Sequence, residues 1–87
     1  MSRGAVIVAK VTLIHASWCT VCPSARKFWK DLKLDYDFEY EEIDVETPQG
    51  QVLIDKYGIA GVPTTIIDEK VAFTGLPKKA DAIASIS

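Results

Sequence analysis

At 87 residues, with 48% hydrophobic and 25% charged side chains, the chain has material for one compact domain, residues 1–87, with a modest core. Its 10 basic and 12 acidic residues leave a net charge of −2, which argues against nucleic acid or an anionic membrane as a partner. Two cysteines are far below the density of a secreted disulfide-built mini-domain, so a reducing compartment, the cytoplasm, is expected and the pair reads as chemical rather than architectural.

The amino end superficially resembles a secretory leader because Arg3 precedes apolar residues, but Lys10 interrupts the run and nothing reaches the length of a membrane span. Ala5 to Ala16 is rich in Val, Ile and Leu, broken only by Lys10, Thr12 and His15, the pattern of a central strand covered on both faces. From Ser24 to Leu34 the apolar positions Ala25, Phe28, Trp29 and Leu32 recur at helical spacing, with Arg26, Lys27, Lys30, Asp31 and Lys33 on the other side. Tyr36 to Val45 alternates as a second strand. Thr47 and Pro48 suit a helix cap and first turn, Val52, Leu53 and Tyr57 an apolar face, and Gly58 the stop of a helix over about Pro48 to Tyr57.

Thr64 to Ile67 and Val71 to Thr74 are short β-type runs joined by Asp68-Glu69-Lys70, a hairpin spacing. After Gly75-Leu76-Pro77, the segment Lys78 to Ile86 carries Ala82, Ile83 and Ile86 on one helical face. The order βαβα, then ββα, predicts a layered α/β fold. Its four-stranded mixed sheet has helices on both faces, and its parallel pair is joined by a right-handed crossover.

Both cysteines lie in Ser17-Trp18-Cys19-Thr20-Val21-Cys22-Pro23-Ser24, between the first strand and the first helix. A thiolate at a helix start is stabilised by unpaired backbone N–H groups and the positive end of the helix dipole, so Cys19 is expected to ionise near neutral pH while Cys22 stays protonated. Thiol–disulfide exchange needs such a thiolate, a mixed disulfide with the substrate, and a second thiol to release the product. Cys19 would attack and Cys22 would resolve. Structural zinc would need four ligands, and two cysteines, one histidine and carboxylates supply them only with His15 plus an acid, or with a second subunit. A structural staple closing so small a loop adds little stability. Pro23 biases Cys22 away from the helical region, so the regular helix is expected to begin at about Pro23 or Ser24.

Trp18-Cys19-Thr20-Val21-Cys22 resembles the thioredoxin superfamily motif. Tyr57-Gly58-Ile59-Ala60-Gly61-Val62-Pro63-Thr64 resembles its cis-proline loop, and Gly75 a third recurring position. Cys22 and Val62 stand 40 residues apart, and the elements come in the family's order. The resemblance implies a thioredoxin-like fold, with Pro63 cis and beside Cys19, keeping metal out. It also implies a substrate surface of Trp18, Thr20, Val21, Val62 and Pro63, on which the Val62 backbone pairs with an extended segment of a disulfide-containing protein. No metal and no cofactor are implied, and a monomer is expected.

In size the chain is similar to glutaredoxins and to small glutaredoxin-like thioredoxins, and it is expected to lack the leading strand and helix of a full-length thioredoxin. Thr20-Val21 is neither the Gly-Pro of thioredoxins nor the Pro-Tyr of glutaredoxins. Leu13 stands six residues before Cys19, where thioredoxins often bury an aspartate that accepts the resolving thiol's proton, so water or another group must do that work. Gly75-Leu76-Pro77-Lys78-Lys79 replaces the paired glycines and acids with which glutaredoxins hold glutathione. The expected activity is reduction of protein disulfides, with a reductase or glutathione as electron donor. The alternatives are a glutathione-dependent glutaredoxin and a metal-carrying or protein-interaction module whose cysteines do not cycle.

Other residues read as structural. His15, four residues before Cys19, reads as a strand-end histidine, with stabilising the thiolate or shuttling a proton as the alternative, and Trp29 reads as a core residue. The acidic run from Asp35 to Glu46 reads as solvated carboxylates on an alternating strand, and Lys78 and Lys79 as solvating a helix start.

Overall fold

The computed structural model describes residues 8–86, and Ala5 to Ile7 of the expected first strand lie outside them. Seven elements follow in the expected order: β1 (Lys10–His15), α1 (Cys22–Lys33), β2 (Glu39–Asp44), α2 (Pro48–Tyr57), β3 (Thr64–Ile67), β4 (Lys70–Thr74) and α3 (Lys79–Ile86). The sheet order is β2-β1-β3-β4, with β1 parallel to β2, and β3 antiparallel to both β1 and β4. The chain has a thioredoxin-like α/β fold with a four-stranded mixed sheet.

Alternation along the strands sorts side chains onto two faces. Val11 and Leu13 of β1 and Ile67 of β3 join Ala25, Trp29 and Leu32 of α1 and Ala82 of α3 in one core. Ile14, Ile43 and Ile66 turn to the other face, where Leu53, Ile54 and Tyr57 of α2 pack on them. Helices therefore cover both faces, and β1 is buried as its near-continuous apolar run requires. Trp29 is completely buried, with its indole N–H donating to Thr65 Oγ1 at 3.2 Å and its ring edge-on to Phe28 and Phe38. A buried indole requires such a partner for its N–H.

The helix ends follow from local chemistry. Thr47 Oγ1 accepts the Gly50 N–H at 3.0 Å and donates to the Asp44 carbonyl at 2.7 Å, tying the start of α2 to the end of β2. Gly50 has to be glycine at this junction, because a Cβ would collide with the Asp44 carbonyl oxygen and approach Val45 Cα to 2.8 Å. Gly58 closes α2 in the left-handed conformation, with φ 63°.

Several boundaries differ from expectation. Tyr36 is exposed and precedes β2, which pairs only from Glu39, and Leu34 caps α1 with its side chain in water. Val52 is exposed too: the apolar face of α2 uses Ile54 beside Leu53 and Tyr57. Lys70 belongs to β4, leaving Asp68-Glu69 as a two-residue turn with positive φ at both positions. Helix α1 begins at Cys22, with Pro23 in its first turn, where a missing N–H costs nothing. Among the described residues no helix is long and apolar enough to cross a membrane.

Candidate active site

β1 ends at His15, and the loop 16–21 delivers both cysteines to one end of the sheet. The Cys19 N–H bonds back to the Ala16 carbonyl at 3.2 Å, folding the loop under the start of α1. The residue capping α1 is Val21, whose side chain has no acceptor to offer. Instead, Cys19 Sγ accepts the Cys22 N–H at 3.2 Å. The sulfur thus takes one of the donors that every helix start leaves unpaired.

Burial separates the two thiols: Cys19 is partly exposed, whereas Cys22 has 1% of its surface in contact with solvent. Burial pushes the Cys19 thiol up, but hydrogen bonds from the Cys22 side chain and from the Val21 and Cys22 backbone outweigh it and hold Cys19 below the ordinary thiol value. Cys22 is pushed up to about 11, first by burial, then by its hydrogen bond to Cys19 and the charge that Cys19 carries; the Ala16 backbone and Arg26 oppose the shift. One sulfur is more acidic than an ordinary thiol, while the other holds its proton beside it.

The Val62–Pro63 peptide bond is cis. Thr64 Oγ1 donates to the Gly61 carbonyl at 2.7 Å, and the Gly75 N–H donates to the Pro63 carbonyl at 2.8 Å, so the second and third resembling positions are bonded to each other. Gly75 has φ 83°, a conformation that favours glycine. Trp18, 64% exposed, shares with Val62 a hollow of about 340 Å³ whose walls include Val45, Ile54 and Ile59. Thr20 and Val21 are exposed beside the cysteines, Val62 is half-buried and Pro63 buried. A hollow of about 400 Å³ under α2, lined by Lys10, Thr12 and Glu41 among others, includes neither cysteine and no residue of their loop.

Two neighbours of the site are not solvated as their sequence pattern suggests. Arg26 on α1 is half-buried, and its Nε donates to Glu42 Oε1 on β2 at 3.1 Å. Glu42 also accepts the Tyr40 hydroxyl at 2.9 Å and lies 3.8 Å from Lys30 Nζ. Burial raises the Glu42 carboxyl, but the Tyr40 hydrogen bond, Arg26 and Lys30 outweigh it and lower its pKa. The Tyr40 hydroxyl is pushed up by burial and by Glu42. The available signal in the sequence was the spacing of Arg26, four residues beyond Cys22 on the same helix.

Residues 9–87 match the family model described as Thioredoxin domain. A thioredoxin of Methanocaldococcus jannaschii is 32% identical over 80 residues, covering 88% of this chain and 91% of that protein. Among solved structures, the reduced thioredoxin pre-protein of Schistosoma mansoni shares the fold with a TM-score of 0.75 at 23% identity, over 97% of this chain and 84% of that one. A chain of the complex between ferredoxin:thioredoxin reductase and thioredoxin f2 gives a TM-score of 0.69 at 28% identity, over 87% of this chain and 72% of that one. With two cysteines at a helix start, one partly exposed and one buried, and a cis-proline loop before β3, the chain belongs to the thioredoxin family of thiol–disulfide oxidoreductases.

Proposed function

We propose that the protein reduces disulfides of other proteins through Cys19 and Cys22, working as a monomeric single domain, residues 1–87, in the cytoplasm. The carrying observation is the opposite perturbation of two thiols joined by the 3.2 Å contact from the Cys22 N–H to Cys19 Sγ. The Cys19 thiolate attacks one sulfur of the substrate disulfide, and the other sulfur leaves as a thiolate and takes a proton. Cys22 then gives its proton to water and attacks Cys19 Sγ. The mixed disulfide breaks, the Cys19–Cys22 disulfide forms, and two electrons have passed to the substrate.

The substrate lies against Trp18, Thr20, Val21, Val62 and Pro63. The Val62 backbone pairs with its extended chain, and the apolar hollow beside Trp18 receives a flanking side chain. Electrons return from a thioredoxin-reductase-type partner. The solved complex of thioredoxin f2 with such a reductase supports this donor, and Gly75-Leu76-Pro77-Lys78-Lys79, which lacks the acidic residues expected to hold glutathione, argues against glutathione.

Cys22→Ser tests the assignment. It is expected to accumulate a mixed disulfide with substrate through Cys19, and a trap that forms only through Cys22 in the reciprocal variant reverses the roles.

A further inference from the structure

Resolution requires Cys22 to give up a proton inside the protein, where burial opposes the charge. Of the β1 residues on that face of the sheet, Val11 and Leu13 are completely buried and apolar, with no proton to exchange. The register partner of Leu13 on β2 is Glu42, which bonds across to Arg26 of α1. The titratable and charged groups on the elements around Cys22 include Cys19 in the loop, His15 at the end of β1, Tyr40 and Glu42 on β2, and Arg26 and Lys30 on α1; of the others, Lys27 pairs with Asp31 on the exposed side of α1, Lys10 of β1 pairs with Glu41 of β2, Lys33 lies at the far end of α1, and Glu39 and Asp44 stand at the two ends of β2. β3 contributes the uncharged Thr64 and Thr65, and α3 turns Ala82 inward while Asp81 stays exposed.

Arg26 stands apart in this set because it is placed from two directions. Four residues along α1 from Cys22, it lies on the same helix face. Glu42 fixes its guanidinium, and is itself fixed by the Tyr40 hydroxyl at 2.9 Å and balanced by Lys30 at 3.8 Å. An arginine free in water would spread its charge over many rotamers, whereas the bond from Nε to Glu42 favours one placement for this one. Arg26, Lys30 and Glu42 together carry one net positive charge.

We propose that Arg26, pinned across the gap between α1 and β2 by Glu42, is a positioning residue for the resolving step. Its charge, one helical turn from Cys22, favours the thiolate that attacks the mixed disulfide at Cys19. The inference rests on Cys22 being the resolving thiol. The proton leaves to water and no further reactant is required. Arg26 forms no bond and shifts only the fraction of Cys22 ready to attack.

The test uses the reduced, full-length protein and an aromatic disulfide that releases a coloured thiolate. Attack by Cys19 releases one equivalent, and attack by Cys22 on the resulting mixed disulfide releases a second. A unit charge one helical turn away, screened nearly as in water, changes the thiolate fraction roughly threefold. Arg26→Gln is therefore expected to slow the second release roughly threefold relative to the first near neutral pH, and to move the pH profile of the second release upward. Arg26→Lys is expected to recover most of the rate, and Lys27→Gln, which removes an exposed charge from the same helix, to change neither release. A second release unaltered in rate and pH profile by Arg26→Gln overturns the inference, as does a parallel fall in both releases that lysine fails to rescue. An unsubstituted protein that releases only one equivalent overturns the resolving-thiol assignment itself.

Discussion

The Cys22 backbone N–H donates to Cys19 Sγ at 3.2 Å, so a helix whose capping residue has no acceptor is closed by the sulfur of its own motif. The same contact adds to the Cys22 side-chain and Val21 backbone hydrogen bonds that lower the Cys19 pKa, and it places the partner thiol beside it. Structure and chemistry at this helix start are therefore one arrangement, and disturbing either thiol changes the other.

The Cys22 side chain is the largest influence lowering the Cys19 pKa, so Cys22→Ala should move the midpoint of Cys19 alkylation against pH upward, toward the ordinary thiol value. Iodoacetamide kinetics followed by mass spectrometry read this directly. An unchanged midpoint would assign the effect to the backbone N–H groups alone.

Stability of the reduced protein at alkaline pH follows from Cys22. Its folded pKa is raised from 9.0 to about 11, so its neutral form stabilises the fold fully below pH 9, and that contribution is lost as pH rises from 9 to 11. The loss is on the order of 2 kcal/mol. Tyr40 is raised as well and acts in the same direction, but equally in a Cys22→Ser variant. Cys19 has the opposite sign: its contribution is present above its unfolded value and lost as pH falls through the folded one. Urea titrations across this range should show a shallower alkaline decline in Cys22→Ser than in the unsubstituted protein.

Glu42 governs an acid limb. Its folded pKa is lowered, so its contribution is fully present above the ordinary carboxyl value of 4.5 and disappears as pH falls through the folded value. Glu42→Gln should cost about 1–2 kcal/mol at pH 7, through loss of charge-assisted hydrogen bonding, and cost less with each step toward acid. Denaturation midpoints at neutral and acid pH check both the size and the convergence.

Gly50→Ala should destabilise the protein despite alanine's higher helix propensity. The clash with the Asp44 carbonyl and Val45 Cα is against backbone, which cannot swing away as a flexible side chain can. Overpacking of this kind costs about 1–3 kcal/mol, and the propensity gain of roughly 1 kcal/mol offsets only part of it. Thermal unfolding should show a lowered midpoint, and an increase would mean that α2 can move off the end of β2.

The sequence was most legible where pattern and chemistry are local. The helical spacing of Ala25, Trp29 and Leu32 identified the buried face of α1, and Thr47-Pro48 with Gly58 marked both ends of α2. Asp68-Glu69 was harder, since two non-glycine residues with positive φ carry no strong turn signature. Val52 and Ile54 exchanged roles because both are β-branched, and only the angle at which α2 meets Ile14, Ile43 and Ile66 decides between them. Glu42 was hidden for a different reason. In an alternating acidic strand each carboxylate looks solvated, and the register against Leu13 together with the reach of Arg26 singles this one out. At the site, the Cys-x-x-Cys spacing and the proline loop were readable, whereas the bond between Gly75 and Pro63 exists only once β3 and β4 pair.

The central claim is that Cys19 and Cys22 exchange electrons as a reducing pair, and its most direct test is their redox equilibrium in defined thiol buffers, read by mass spectrometry after alkylation. A reducing pair is expected to form an intramolecular disulfide whose potential lies on the reducing side, toward the about −270 mV of thioredoxin and away from about −120 mV. A potential near about −120 mV would make the protein an oxidant of its partners, and the absence of any Cys19–Cys22 disulfide at every poise would contradict the redox account altogether.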